Sequence, residues 1–116
     1  MVLVVFYGGL TLKRTFDWRD EVTFWRKLTQ QHPQSALAHF TLGVHLGEEG
    51  EVVEAQTMYE RAVELEPRMI EARYNLGNIY VKTGREAEAL EEYLTITELD
   101  PNFEPGREKV KELVGD

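Results

Sequence analysis

Ile70-Glu71-Ala72-Arg73-Tyr74-Asn75-Leu76-Gly77 and, further on, Leu99-Asp100-Pro101 decide the fold, because each has a twin 34 residues upstream. The twins are Ala36-Leu37-Ala38-His39-Phe40-Thr41-Leu42-Gly43 and Leu65-Glu66-Pro67. Between these blocks Gly50 recurs as Gly84, Ala55 as Ala89 and Tyr59 as Tyr93. A fixed period of this length marks a solenoid of stacked supersecondary units, each of which buries its apolar face only against its neighbours. Such an array implies a binding surface rather than a reaction.

Every recurring residue has a physical task. Gly43 and Gly77 let a partner helix approach the backbone. Gly50 and Gly84 can take the left-handed geometry that ends a helix, which divides each unit into two helices. Ala55 and Ala89 leave room where the helices cross, and Tyr59 and Tyr93 fill the space above. Pro67 and Pro101 stop the second helix, since a residue before proline is pushed out of helical geometry.

These positions resemble the tetratricopeptide repeat (TPR) family. Its Leu-Gly, Tyr, Gly, Ala, aromatic and Pro positions fall on Leu76, Gly77, Tyr80, Gly84, Ala89, Tyr93 and Pro101. His39 and Arg73 stand where the family often has Trp, Leu46 replaces a first-helix Tyr, and Ile96 replaces a second-helix Ala. The resemblance implies an all-α superhelical solenoid of antiparallel helix pairs. Repeats are expected over 36–69 and 70–103, in a single domain spanning 1–116.

The register runs back into residues 1–35. Trp25 lies one period before Tyr59, Leu28 before Ala62, Pro33 before Pro67 and Gly9 before Gly43. This segment reads either as a degenerate first repeat or as a membrane-proximal stretch followed by one helix. Residues 104–116 carry a narrow apolar stripe of Val110, Leu113 and Val114, suited to a capping helix or to the start of another repeat. Helices are expected near 2–14, 17–31, 36–48, 52–65, 70–82, 86–99 and 104–114, with Trp25, Tyr59 and Tyr93 in equivalent buried positions.

Charge is distributed unevenly. The net charge is −8, yet residues 1–35 carry five Lys/Arg against three Asp/Glu, and the remainder eight against eighteen. An acidic solenoid lacks the basic footprint that phosphates require, so nucleic acid is not an expected partner. Most of the carboxylates are expected simply to solvate outer helix faces.

The N-terminus stands apart. Met1 to Leu12 holds no charged residue, and Lys13, Arg14 and Arg19 follow, with Tyr7 and Trp18 nearby. Twelve helical residues rise only about 18 Å, short of the roughly 30 Å of a hydrocarbon core. The basic start and small-residue cleavage site of a signal peptide are missing. The run from Asp17 to Arg26 resembles the membrane-exit segment of polytopic, O-mannosyltransferase-like proteins with TPR tails. A helix over 2–14 would be apolar around most of its circumference, beyond what one neighbour covers, so its remaining side is expected to meet a second chain, a lipid or detergent, or a missing part of a larger protein. The competing reading buries the helix against its own repeat or in a dimer. Cytoplasmic and membrane-associated readings both stay open.

Residue chemistry argues against catalysis. The chain has no Cys, hence no thiol nucleophile or thiolate metal ligand. His32, His39 and His45 have no i, i+4 partner among themselves and no His-Glu-x-x-His occurs, so no metal site is expected. The sole serine, Ser35, sits where a helix N-cap is needed. Neighbouring carboxylates such as Glu91 and Glu92 point apart on a helix and form no acid/base dyad. No catalytic residue and no cofactor is expected.

Function is left to the concave wall lined by first helices. The resemblance places Leu37, Phe40, Thr41, Val44 and Glu48 on that groove from one repeat, and Glu71, Tyr74, Asn75, Asn78 and Lys82 from the next. The two Asn amides can pair with a peptide backbone whatever its side chains, and Phe40 and Tyr74 offer flat apolar area. The carboxylate clamp of chaperone-binding members is missing: Phe40, Val44 and Pro105 occupy clamp positions, Asn75 alone matches, and Lys109 is out of place. Three readings follow. The first is a non-catalytic scaffold binding a protein or peptide ligand in the groove. The others are the soluble tail of a membrane-embedded, glycosyltransferase-like protein and a self-association module using the apolar N-terminus.

Overall fold

The computed structural model describes residues 18–115, with side chains from Asp20 onward. Six helices follow one another: α1 (Trp18–Gln31), α2 (Ala36–Glu48), α3 (Val52–Leu65), α4 (Ile70–Lys82), α5 (Glu86–Leu99) and α6 (Glu104–Val114). Among the described residues there is no strand, and the fold is all-α. The helix expected over 2–14 lies outside the described residues. Helix bounds repeat as strictly as the residues do. α1, α3 and α5 start 34 residues apart, and so do α2, α4 and α6. α6 therefore stands in first-helix phase while it covers the end of α5.

The boundaries have local causes. Ser35 Oγ accepts from the Ala38 amide at 3.1 Å and caps α2. Gly50 and Gly84 have φ of +85° and +80°. Each allows the paired hydrogen bonds of a Schellman turn: Glu51 N to Leu46 O and Gly50 N to Gly47 O, then Arg85 N to Tyr80 O and Gly84 N to Val81 O. Glu66 and Asp100, each followed by proline, are extended (φ −138° and −147°), which ends α3 and α5.

The core runs along the stack and is built from Leu42, Leu46, Ala55, Tyr59, Leu76, Ile79, Tyr80, Ala89, Tyr93 and Ile96, joined by Val22 of α1. A Cβ added at Gly43 would lie 2.8 Å from Tyr59 Cε1, and one at Gly77 2.7 Å from Tyr93 Cε1. Each glycine is thus the seat of the tyrosine ring sixteen residues later. Tyr59 and Tyr93 are buried as expected, but Trp25 is only half-buried. Among the described residues, no helix stands to α1 as α2 stands to α3, so the Trp25 ring lacks the cover that α2 gives Tyr59.

The departures from the family pattern are compensated. Arg73, in place of Trp, donates from Nε to Pro67 O and from Nη1 to Glu92, both at 2.8 Å. Arg107 repeats the first of these contacts one period later, from Nη1 to Pro101 O at 2.9 Å. Ile96, fully buried where the previous repeat has Ala62, presses on Gly106, which stands where the previous repeats have Ala38 and Ala72. A large side chain on α5 is matched by a missing one on α6.

Candidate functional site

A hollow of about 290 Å³ opens between the C-terminal halves of α2 and α4. Its walls are Val44, Gly47 and Glu48 of α2, Val52 and Tyr59 of α3, and Asn75, Asn78, Ile79 and Lys82 of α4. Val44, Asn78 and Lys82 recur at helical spacing on first helices, and α3 closes the floor from behind. Of the groove residues expected from sequence, Val44, Glu48, Asn75, Asn78 and Lys82 gather here.

The remaining five lie outside the hollow. Leu37 is 61% exposed and Glu71 is exposed, both on first turns. Thr41 spends its hydroxyl on Leu37 O at 2.8 Å. Phe40 packs on the Tyr59 ring, with centroids 5.8 Å apart. Tyr74 is held between Tyr93 and Phe103, with centroids 5.9 and 5.7 Å away. Both aromatics are half-buried, so part of their area serves the core and the rest is presented outward.

The amides are not free rotors. Asn75 Nδ2 donates to the Tyr59 hydroxyl at 3.3 Å, and Asn78 Oδ1 accepts from the Tyr93 hydroxyl at 2.5 Å. Each bond uses part of an amide and fixes the rest. Asn75 keeps its carbonyl oxygen and Asn78 keeps its NH₂ group, so an acceptor and a donor stand one helical turn apart at the hollow. Burial raises the pKa of Tyr59, against a smaller opposing effect of the Asn75 bond. Burial likewise pushes Tyr93 up to about 12, with help from Tyr74 and Glu112. Both hydroxyls therefore keep their protons at neutral pH and hold their partners as neutral groups.

Two charged side chains rim the hollow on opposite walls. Glu48 Oε1 lies 3.5 Å from His45 Nδ1, and His45 Nε2 lies 3.7 Å from Glu21 of α1. Among the described residues Lys82 has no ion-pair partner, as is also true of Lys27, Arg68 and Lys111, whereas Arg26, Arg61, Arg73, Arg85, Arg107 and Lys109 each have one. One period on from Asn75 and Asn78 stand Lys109 and Glu112, paired with each other at 3.6 Å. The donor–acceptor pair is thus confined to α4.

Sequence reasoning does not find Gly47, Val52, Tyr59 and Ile79 as lining residues. Tyr59 reads from sequence as core alone, and it serves both purposes. Gly47 leaves a signal in the sequence, because it breaks the period: its counterpart is Val81. Among the described residues no group of three or more His, Asp or Glu side chains could hold a metal ion. No described helix is long and apolar enough to cross a membrane.

Comparison with known proteins agrees with the geometry. No curated protein sequence matches the chain. Among solved structures it is similar to MamA (TM-score 0.79, 24% identity), covering 83% of this chain and 56% of that one. It is also similar to the first TPR of Spaghetti (RPAP3) bound to the HSP90 peptide SRMEEVD (TM-score 0.79, 15% identity, covering 84% and 78%). A third neighbour is TTC0263, a thermophilic TPR protein of Thermus thermophilus (TM-score 0.73, 24% identity, covering 84% and 50%). The chain spans about half the length of MamA and of TTC0263. The family model described as Tetratricopeptide repeat matches residues 46–110, more than half of the sequence, and the chain belongs to the tetratricopeptide repeat family.

Proposed function

We propose that the chain is a non-catalytic scaffold that holds an extended polypeptide segment in its concave groove. The observation that carries this reading is the pair of oriented amides at the hollow. Asn75 offers an acceptor and Asn78 a donor, both fixed by buried tyrosine hydroxyls before any ligand arrives. A peptide bond presents the complementary pair, and groups already held in place lose little entropy on binding. A structural neighbour with a peptide bound, the first TPR of Spaghetti, supports the same use of the fold.

The test must separate binding from folding. Alanine at Asn78 would strand the buried Tyr93 hydroxyl, so Asn78→Asp is the sharper change: it keeps an acceptor for Tyr93 and removes the amide donors. Binding of a selected peptide, followed by fluorescence anisotropy, should weaken at least tenfold, about 1.4 kcal/mol. Helicity by circular dichroism should be unchanged. Equal affinity in Asn78→Asp and in Tyr74→Ala would move the site off this groove.

A second reading rests on Phe24, which is 56% exposed and meets Trp25 edge-on at 5.4 Å. An exposed aromatic at this end of the array favours a further contact there, through residues 1–14 with a lipid or a second copy. Deleting residues 1–14 should turn a larger sedimenting species into a monomer. A full chain that sediments as a monomer without detergent would remove this reading.

A further inference from the structure

Gly47 lends its carbonyl to the turn that ends α2, as any residue could, but nothing in the packing or backbone of the folded chain calls for a glycine there. A Cβ built on it meets nothing within 4 Å, and it is not among the glycines with positive φ. Glycine weakens a helix, so a helical glycine needs a reason of another kind. Gly43, one turn earlier on the same helix, has such a reason in the Tyr59 ring. The next repeat shows that the position accepts a side chain, because Val81 stands there, 37% exposed. What distinguishes Gly47 is its place in the wall of the hollow.

The hollow itself is bipolar with an apolar floor. Val44, Val52 and Ile79 supply apolar lining, and about 290 Å³ is ample for an aromatic ring, given that a dry apolar cavity of about 150 Å³ binds benzene. Glu48 stands on the α2 wall beside the C-terminal end of that helix, and Lys82 on the α4 wall without a partner among the described residues. A peptide crossing from α2 to α4 is best matched by a cation on the first side and an anion on the second.

Resting on the groove reading above, we propose that the hollow opened by Gly47 is an anchor site. It takes one bulky apolar side chain of an extended peptide, with a basic residue of that peptide beside Glu48 and an acidic one beside Lys82. The anchor fills the space that the missing side chain leaves, while Asn75 and Asn78 hold the adjoining backbone. Recognition is thereby set by one apolar position and by the direction of the flanking charges.

The test is selection from a phage-displayed library of short randomised peptides on the full chain, followed by affinity measurement on a synthetic peptide from the enriched set. The enriched sequences should share one Phe, Trp, Leu or Met, with Lys or Arg on one side and Asp or Glu on the other. Gly47→Leu should weaken that peptide by about tenfold or more while its melting temperature equals or exceeds that of the wild type, since leucine is the better helix former. Lys82→Glu should exchange the preferred acidic flank for a basic one. Enriched peptides with no shared apolar position, or unchanged affinity in Gly47→Leu, would overturn the anchor site and leave the groove reading standing. No enrichment at all would overturn both. Should Gly47→Leu melt below the wild type, Gly47→Ala, which adds one methyl group to open space, is judged by the same two readings.

Discussion

Replacing Gly106 by alanine tests how the last helix is seated. The new Cβ would lie 2.9 Å from Ile96 Cγ2, closer than carbon atoms tolerate, and 3.3 Å from Phe103 Cδ2, a tight contact. Ile96 is fully buried and cannot swing aside, so overpacking should cost about 1–3 kcal/mol, less up to about 1 kcal/mol of improved helix propensity. Ile96→Ala alone removes three buried carbons, worth about 2.4 kcal/mol at roughly 0.8 kcal/mol each, before any cavity term. Together the two changes recreate the alanine pair, Ala62 and Ala72, that the previous repeat buries completely. The clash disappears in the double variant, and the new methyl group occupies part of the cavity. The double variant should therefore lose less than the sum of the single losses, by about 1–2 kcal/mol. Urea denaturation of the four proteins, followed by helicity with a common slope, closes the cycle. Additivity within about 0.5 kcal/mol would refute the idea that Gly106 answers the size of Ile96.

Four further outcomes follow from packing and charge. Ala89 is fully buried at the α4–α5 crossing, so Ala89→Leu should destabilise by about 1–3 kcal/mol in the same assay. Glu92→Gln should cost about 1–2 kcal/mol, because it leaves Arg73 mostly buried (16% exposed) without its counter-charge. Glu104→Gln, at an exposed pair with Arg107, should cost under about 0.5 kcal/mol. Finally, burial pushes Tyr80 and Tyr93 up to about 12, with a Glu60 bond adding to the first. A raised folded-state pKa means that the folded protein holds protons the unfolded chain releases. This stability is complete below pH about 10 and is lost as pH rises toward about 12, and Tyr80→Phe should flatten the decline seen in alkaline melts.

Much of this architecture could be read from the chain. A strict period joined to Gly, Ala, Tyr and Pro at fixed offsets located α2 to α5, because those residues act on their own neighbourhood, and apolar stripes located α1 and α6. Side chains that reach across the stack gave no such sign. Asn75 and Asn78 could be named as amides facing a groove, but their bonds to Tyr59 and Tyr93 depend on how far α4 tilts toward α3 and α5. The Arg26–Glu54 pair, linking α1 to α3, likewise joins residues with no periodic relation. The answer of Gly106 to Ile96 lay open in the alignment of repeats, as two departures that make sense only together. Gly47 did too, as a glycine where the next unit has valine.

Tyr59 and Tyr93 tie two selected traits to the same atoms. Their rings complete the interior, and their hydroxyls aim the amides of the proposed peptide site. A drifting mutation at either tyrosine would be filtered twice, once for folding and once for recognition, so neither trait can be tuned there alone. Gly47, Glu48 and Lys82 carry no such double duty. Divergence of ligand preference among descendants of this chain should concentrate at those three positions, and a protein engineer wishing to retarget the groove would begin with them.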